Sequence, residues 1–483
     1  MALRIFNVLH REKEDFTPIT PGRVAMYVCG PTVQDYSHIG HAKTYASFDL
    51  VVRYLRYSGY DVLYIQNLTD VGHLLDSGED RVIKKARQSS ALPMQIVETY
   101  TRSYFEDMDA LGIVRPDISP RASGHIPEQI AMTETLIQKG YAYVAEDGVY
   151  FDVGSYPEYG KLSNRKVEEG EAGSRALKGK GKRNPEDFAL WILAGEEHIL
   201  QWESPWGRGY PGWHIECSAM ATKYLGATFD IHGGGIDNIF PHNECEIAQS
   251  EAANGVPFAN YWMLVGSLTK DGQKMSKSIG NVLNIKDALR DFRPEVIRYF
   301  IYQSHYSNPI DYSREALNAS EKGWERLMSA VRLTREKLRF NESADADAGN
   351  GFLSVLADHK VDFNTALDDD FNAPSALAAL QNLTGEVNKL LNSGQSVGVN
   401  TLSAINAFYT EIGWDVLRII PPVETSHSAD AGRVDGLVRL LIEMRKQARQ
   451  ERQFARADGI RDQLKTLGIA LEDRPEGTIY RLE

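Results

Sequence analysis

A chain of 483 residues is too long for one ordinary hydrophobic core, so roughly two to four domains are expected. Apolar residues at 42% and charged ones at 25% fit a soluble globular protein, and a formal net charge of −13 excludes a simple polycation for nucleic acid. Three cysteines cannot build a disulfide framework, no stretch reaches the roughly 18 apolar residues of a membrane span, and MALRIFNVLHREKED lacks an apolar secretory core, so a cytoplasmic protein is expected.

Residues 24–29 (VAMYVC) read as a short buried strand, Gly30-Pro31 as a turn, and residues 42–58 carry apolar side chains at helical spacing. Residues 61–66 (DVLYIQ) then read as a second strand. Strand, helix and strand in this order make a βαβ unit and predict a parallel sheet. From residue 156 to 207 the texture changes to charge, glycine and tryptophan, which looks like an insertion between two halves of that sheet. Beyond residue 309 long amphipathic stretches follow, broken at 341–351 (NESADADAGNG) and 392–401 (NSGQSVGVNT). A further break from Pro421 (PPVETSHSADAGR) sets the last segment apart as a small module. Local basic runs stand at residues 178–183 (KGKGKR) and 445–456 (RKQARQERQFAR).

Three short stretches carry chemistry. His38-Ile39-Gly40-His41 falls where the first helix begins, and a helix N-terminus with free N–H groups and adjacent imidazoles suits a phosphate. Lys274-Met275-Ser276-Lys277-Ser278 follows the turn-rich Thr269-Lys270-Asp271-Gly272 and reads as a mobile loop whose lysines can meet charge on a transferring phosphate. FPHNECEIAQS, residues 240–250, packs His242, Glu244, Cys245 and Glu246 into five positions, half of a metal site. Taken singly, the first two fit a solvated turn and a solvated loop as well. Together, HIGH and KMSKS in this order resemble the paired signatures of class I aminoacyl-tRNA synthetases. In that family they stabilise attack of an amino-acid carboxylate on the α-phosphate of ATP. The resemblance makes His38, His41, Lys274 and Lys277 the expected catalytic residues.

The resemblance narrows further. Cys29-Gly30-Pro31-Thr32, the GWHIECSAM run from Gly212, DIHGGGID from Asp230, and Phe240-Pro241-His242 are similar to cysteinyl-tRNA synthetases. That family binds zinc through four residues which here are Cys29, Cys217, His242 and Glu246. At about 100° per residue, Glu246 lies about 40° from His242 on a helix, Cys245 about 60° to the other side, and Glu244 about 200° round. Phase alone therefore sets Glu244 aside and leaves both Cys245 and Glu246. A Cys29, Cys217, His242, Cys245 set would be a closed structural site, with no position for a substrate thiolate. Glu246, a harder and more weakly held ligand, leaves one. The family commonly has a second histidine and an asparagine where this chain has Asn243 and Cys245, and often an arginine at Tyr210.

Further expectations come from the resemblance alone. Gly40, Gly233 and Gly234, with His38, His41 and Lys277, would bind ATP together with Mg²⁺. Trp213 would wall the side-chain pocket, and Thr69 and Asp237 would hold the polar end of L-cysteine. The implied architecture is an α/β, Rossmann-like doubly wound parallel sheet (1–119 and 208–256) interrupted by a connective insertion (120–207). A stem-contact region with the KMSKS loop (257–315), an α-helical bundle (316–424) and an anticodon-binding module (425–483) would follow. One Zn²⁺ per chain, tRNA(Cys) as partner, no membrane and a monomeric state complete the expectation. Two rivals are a cysteine-activating ligase for a small amino-sugar acceptor, and a non-catalytic synthetase-derived RNA-binding protein. The long helical region and basic terminal module disfavour the first, and the two complete phosphate motifs disfavour the second.

Overall fold

Four parallel strands build the central sheet of the computed structural model, which describes residues 2–73, 79–165, 181–195, 198–270, 272–275, 280, 282–340, 351–394, 396–422, 428–474 and 477–482. Their spatial order is Ala259–Val265, Phe229–Gly235, Arg23–Val28, Asp61–Gln66. These strands are largely buried, as expected of a parallel sheet with helices on its faces. The chain leaves Arg23–Val28 toward one edge and returns to its other side at Phe229–Gly235. This reversal opens a crevice at the carboxyl ends of the two strands, where open α/β sheets bind ligands.

The Ile39–Tyr57 helix links the first two strands and buries Ala42, Ala46, Phe48, Val51, Val52 and Leu55. Phe48 explains one glycine of the neighbouring strand: a Cβ on Gly233 would come within 2.5 Å of its ring. Gly30 is under a stricter demand, because a Cβ there would lie 1.6 Å from the Asn67 carbonyl oxygen. The chain can therefore cross from Cys29 to Pro31 beside Asn67 only without a side chain.

The insertion is a helix, Ile126–Gln138, and an antiparallel sheet of Ala142–Ala145, Gly148–Phe151, Phe188–Leu193 and Gly209–Pro211. Its pairing thus runs past residue 207 into the stretch leading to the second half of the parallel sheet. Glu244 fastens the two together. Its carboxylate accepts from the Gly160 N–H at 2.8 Å, the Ser163 N–H at 2.8 Å and the Leu162 N–H at 3.4 Å. Glu244→Ala strips three N–H groups of their acceptor, and a loss of about 1–3 kcal/mol is expected from the urea unfolding midpoint, with bound metal unchanged.

Helices Arg314–Phe340, Phe352–Asp368, Ala373–Leu391 and Val399–Phe408 complete the first compact unit, which ends at Pro422. An N-terminal hairpin, Arg4–Asn7 with Glu12–Asp15, not anticipated from the sequence, is tied to this bundle by Asp370, which accepts from the Phe6 N–H at 2.9 Å and the Tyr306 hydroxyl at 2.7 Å. The second unit, from Val423, contains helices Ser428–Gln450 and Phe454–Thr466 and the hairpin Ile469–Arg474 with Gly477–Leu482. In its basic run Arg445 is buried and paired with both oxygens of Asp473 at 2.8 and 2.9 Å, and Arg449 meets the same carboxylate at 3.2 Å. Arg445 thus joins the helix to the hairpin, while Lys446, Arg452 and Arg456 remain exposed. Among the described residues no helix is long and apolar enough to cross a membrane.

Candidate active site

Four side chains from separate parts of the chain meet in the crevice. Cys29 follows the first strand, Cys217 lies on the Trp213–Leu225 helix, His242 sits in the turn Ile239–Asn243, and Glu246 is in the first turn of Glu244–Asn254. All four are buried, and one ligand atom from each lies within 4.8 Å of the others. The 242–246 stretch is not one continuous α-helix, since Phe240 is extended and the α-helix starts at Glu244. Asn243 and Glu244 nevertheless have helical dihedrals, so the i,i+4 relation survives and His242 Nε2 stands 3.0 Å from Glu246 Oε1.

Cys245 turns elsewhere. It packs in the apolar cluster of the insertion with Ile215 and Ala248, and its Sγ is 3.4 Å from the Tyr159 hydroxyl. Burial pushes its thiol well above the ordinary value. Glu244, as described, faces the insertion backbone.

Two residues that sequence reasoning left without a role hold Glu246 in place. His232 Nε2 is 2.9 Å from Glu246 Oε2, and the Asn243 side-chain amide donates to the same oxygen at 3.0 Å and lies 3.7 Å from Cys29 Sγ. The His232 ring stacks on Trp262 with centroids 4.2 Å apart. A histidine in the middle of a buried strand, one residue before the glycines, was the available signal. Burial works against charge on Glu246, yet His232 and His242 outweigh it and hold the carboxyl well below the usual range. Burial and the Cys29 neighbour push the Cys217 thiol well up. His242, disfavoured by burial, is raised to about 10 by Glu246 and Cys217. Protonated thiol and imidazole around an ionised carboxylate form a donor set that a cation can enter by displacing protons.

Trp213 covers the cluster, stacking on His242 at 4.2 Å and on His73 at 4.0 Å, the latter nearly parallel at 7°. His73, also missed, lies within 2.6 Å of the Thr32 hydroxyl. Thr69 is buried at the end of the second strand, its N–H donating to Pro31 O at 3.1 Å and its hydroxyl accepting from the Asn67 amide at 3.1 Å. Gly234 lies beside Cys29, and Asp237 is exposed in the turn Ile236–Asn238 that follows. Tyr210 is buried against His198, the rings 3.9 Å apart.

His38 caps the Ile39–Tyr57 helix from an extended conformation. Its N–H donates to His41 Nδ1 at 3.1 Å, and the two rings stack with centroids 3.9 Å apart. Gly40 between them leaves room for His38 and for the Met275 methyl, 3.5 Å from the position of an added Cβ. The stretch leading to KMSKS, read as a loop, begins as a hairpin, Leu268–Lys270 pairing with Gln273–Lys274. Lys277 lies outside the described residues.

A profile of the tRNA synthetases class I (C) catalytic domain matches residues 15–322, and one of the DALR domain matches 362–417. The chain is 49% identical over 490 residues to the cysteine–tRNA ligase of Chlorobium chlorochromatii, covering 100% of both. It is 43% identical over 486 residues to that of Thermus thermophilus, again with 100% of both covered. Among solved structures, the methionyl-tRNA synthetase of Mycobacterium tuberculosis in complex with methionyl-adenylate matches with a TM-score of 0.59 at 16% identity. That match covers 82% of this chain and 90% of the other, and it speaks for the fold alone. Parallel sheet, HIGH turn and catalytic-domain match define a class I aminoacyl-tRNA synthetase. Within that class the chain belongs to the cysteinyl-tRNA synthetase family.

Proposed function

We propose that this chain activates L-cysteine with ATP and transfers it to the 3′ end of tRNA(Cys), with a zinc ion selecting the thiolate. The observation that carries the reading is the convergence of Cys29, Cys217, His242 and Glu246 at the switch point of the sheet. Two thiols, an imidazole and a carboxylate are a donor set suited to zinc. When bound, zinc supplies a soft Lewis acid that takes a thiolate in preference to serine's harder, far less acidic hydroxyl. Shape alone separates two such similar substrates only modestly.

The chain's own residues do the rest. Trp213 excludes water over the side-chain pocket, while Thr69 and Asp237 receive the amino acid's polar end. The carboxylate oxygen of cysteine attacks the α-phosphorus, the bond to the bridging oxygen breaks, and pyrophosphate leaves with that electron pair. His38 and His41 donate to the phosphate oxygens, and Lys274 and Lys277 meet the negative charge that develops. Mg²⁺, when bound with ATP, would supply further neutralisation of that charge. Gly40 and Gly234 allow close backbone approach to the nucleotide; Gly233 belongs to the same stretch, its missing side chain already accounted for by Phe48. The terminal hydroxyl of tRNA then attacks the adenylate carbonyl and AMP departs.

For the RNA, the same reading assigns stem contacts to 257–315, a supporting bundle to 316–424 and anticodon contacts to 425–483, around the catalytic halves 1–119 and 208–256 and the insertion 120–207. Exposed Lys446, Arg452 and Arg456 are the phosphate contacts of choice, with affinity falling as salt rises. The reading further takes the protein as a cytoplasmic monomer. Zinc-replete protein is expected to exchange labelled pyrophosphate into ATP with L-cysteine and not with L-serine, and to charge tRNA(Cys) but not glucosaminyl-inositol. Absence of cysteine-dependent exchange would overturn the proposal.

A further inference from the structure

We propose that Lys43 is a positioning residue for adenylate formation, its ammonium fixing the HIGH turn against the strands that lead into the KMSKS loop. The inference rests on the functional reading above and adds to it a residue outside both motifs. Lys43 lies two residues beyond His41 and is 1% exposed. Its Nζ donates to three backbone carbonyls, Gly266 at 2.6 Å, Ser267 at 3.3 Å and Asn308 at 2.5 Å. Gly266 and Ser267 join the last strand of the central sheet to Leu268–Lys270, the strand whose hairpin reaches Lys274. Asn308 precedes Ile310–Tyr312, which pairs in parallel with that same strand. One ammonium thus grips the root of both.

The other end of the excursion is fastened to the same turn. The Ile39 N–H donates to Leu283 O at 3.0 Å and the Ile285 N–H to Ser37 O at 2.9 Å, an antiparallel bridge centred on His38 and Asn284. The chain therefore leaves the HIGH segment at Lys43's carbonyls and comes back to it at His38. The hairpin Leu268–Lys270 with Gln273–Lys274 thus stands on a base set by the helix that presents His38 and His41.

No carboxylate pairs with Lys43 among the described residues, and burial pulls its pKa down to about 8. A buried cation without a counter-ion is a costly way to fill space. An apolar chain of similar length would fill the volume but take the donor from the Gly266 and Asn308 carbonyls, leaving Ser267 only the Ile310 N–H at 3.1 Å and the strands free to shift. Since a displacement of about 1 Å far from the chemistry can cost on the order of 100-fold in rate, registration is a function that justifies the cation.

The test uses zinc-replete, full-length protein and cysteine-dependent ATP–pyrophosphate exchange. Lys43→Met is expected to lower kcat on the order of 100-fold, while KM for cysteine stays within about threefold and zinc content is unchanged. Transfer of cysteine from chemically prepared adenylate to tRNA, a step that needs no ATP, is expected to stay near wild type. Lys43→Arg, which keeps charge and donors, is expected to recover much of the lost kcat. Should Lys43→Met fail to fold, Lys43→Gln carries the same prediction at about tenfold. Exchange by the folded variant within about threefold of wild type overturns the assignment. So does an equal loss in exchange, cysteine affinity and transfer, which would mark a general structural role. Absence of exchange in the wild type overturns the functional reading and this inference with it.

Discussion

Replacing Cys217 with serine is expected to lower kcat/KM for cysteine activation by more than about 100-fold, the upper end of what losing even an outer partner of a metal ligand costs. Cys217 is 1% exposed and sits in the same buried cluster as Cys29, His242 and Glu246. Serine preserves the size of the side chain and the helix but exchanges a soft donor for a hard one. Zinc content, measured by mass spectrometry, should fall together with activity. Cys245→Ser is the matched control: it is equally buried, but its Sγ faces Tyr159 and the apolar core of the insertion, so bound zinc should be retained. Retention of both zinc and activity in Cys217→Ser would show that the cluster is not the selecting site.

Arg298→Met is expected to destabilise the first unit by about 3 kcal/mol, the low end for breaking a buried ion pair, because the buried Asp49 carboxylate loses one of two cations and keeps Arg53 at 2.8 Å. Arg298 is fully buried, and its guanidinium donates to Asp49 Oδ2 at 2.5 Å, the Tyr302 hydroxyl at 2.5 Å, Leu417 O at 3.2 Å and Leu111 O at 3.4 Å. Asp49 is itself on the helix that begins at the HIGH turn, and its other oxygen accepts from the Val114 N–H at 2.7 Å. The same arginine thus joins the Ile39–Tyr57 helix to the end of the helical bundle. Urea unfolding followed by tryptophan fluorescence measures the loss. The double variant Arg298→Met with Asp49→Leu should recover part of it, since it removes the fully buried carboxylate and leaves only Arg53, whose side chain is 16% exposed and reaches water. No recovery would mean that packing, not the weakened charge pairing of Asp49, dominates.

The sequence was most legible where the signal is local. The strand at residues 61–66 and the helix leading to it follow from apolar periodicity, and the structure places them at Asp61–Gln66 and Ile39–Tyr57. Half of the metal cluster was likewise local, because His242 and Glu246 are four residues apart. Its other half came from resemblance, since nothing in periodicity brings Cys29 to Cys217. What escaped was the set of contacts made across long separations. Asp49 and Arg298 stand 249 residues apart, and neither carries a local sign of its partner. The hairpin at Arg4–Asn7 is short and charged, so it has too little apolar alternation to read as strand, and its place is fixed by Asp370 far along the chain. Asn243 stood out only as a departure from the family pattern and His232 had no role until the fold set both against the Glu246 carboxylate. The basic run at 445–456 stood out only as a local run of charge, whereas Asp473 on the following hairpin claims Arg445 and Arg449.

The central claim is that the cluster accepts the substrate's sulfur, and the coordination shell of zinc in the full-length protein tests it most directly. X-ray absorption should find two sulfur donors from Cys29 and Cys217 without substrate, and three once L-cysteine is added, with L-serine leaving the count at two. Three sulfurs before any cysteine is added, lost in Cys245→Ser, would mean a closed site that includes Cys245 and would contradict the account, as would a shell that L-cysteine leaves unchanged.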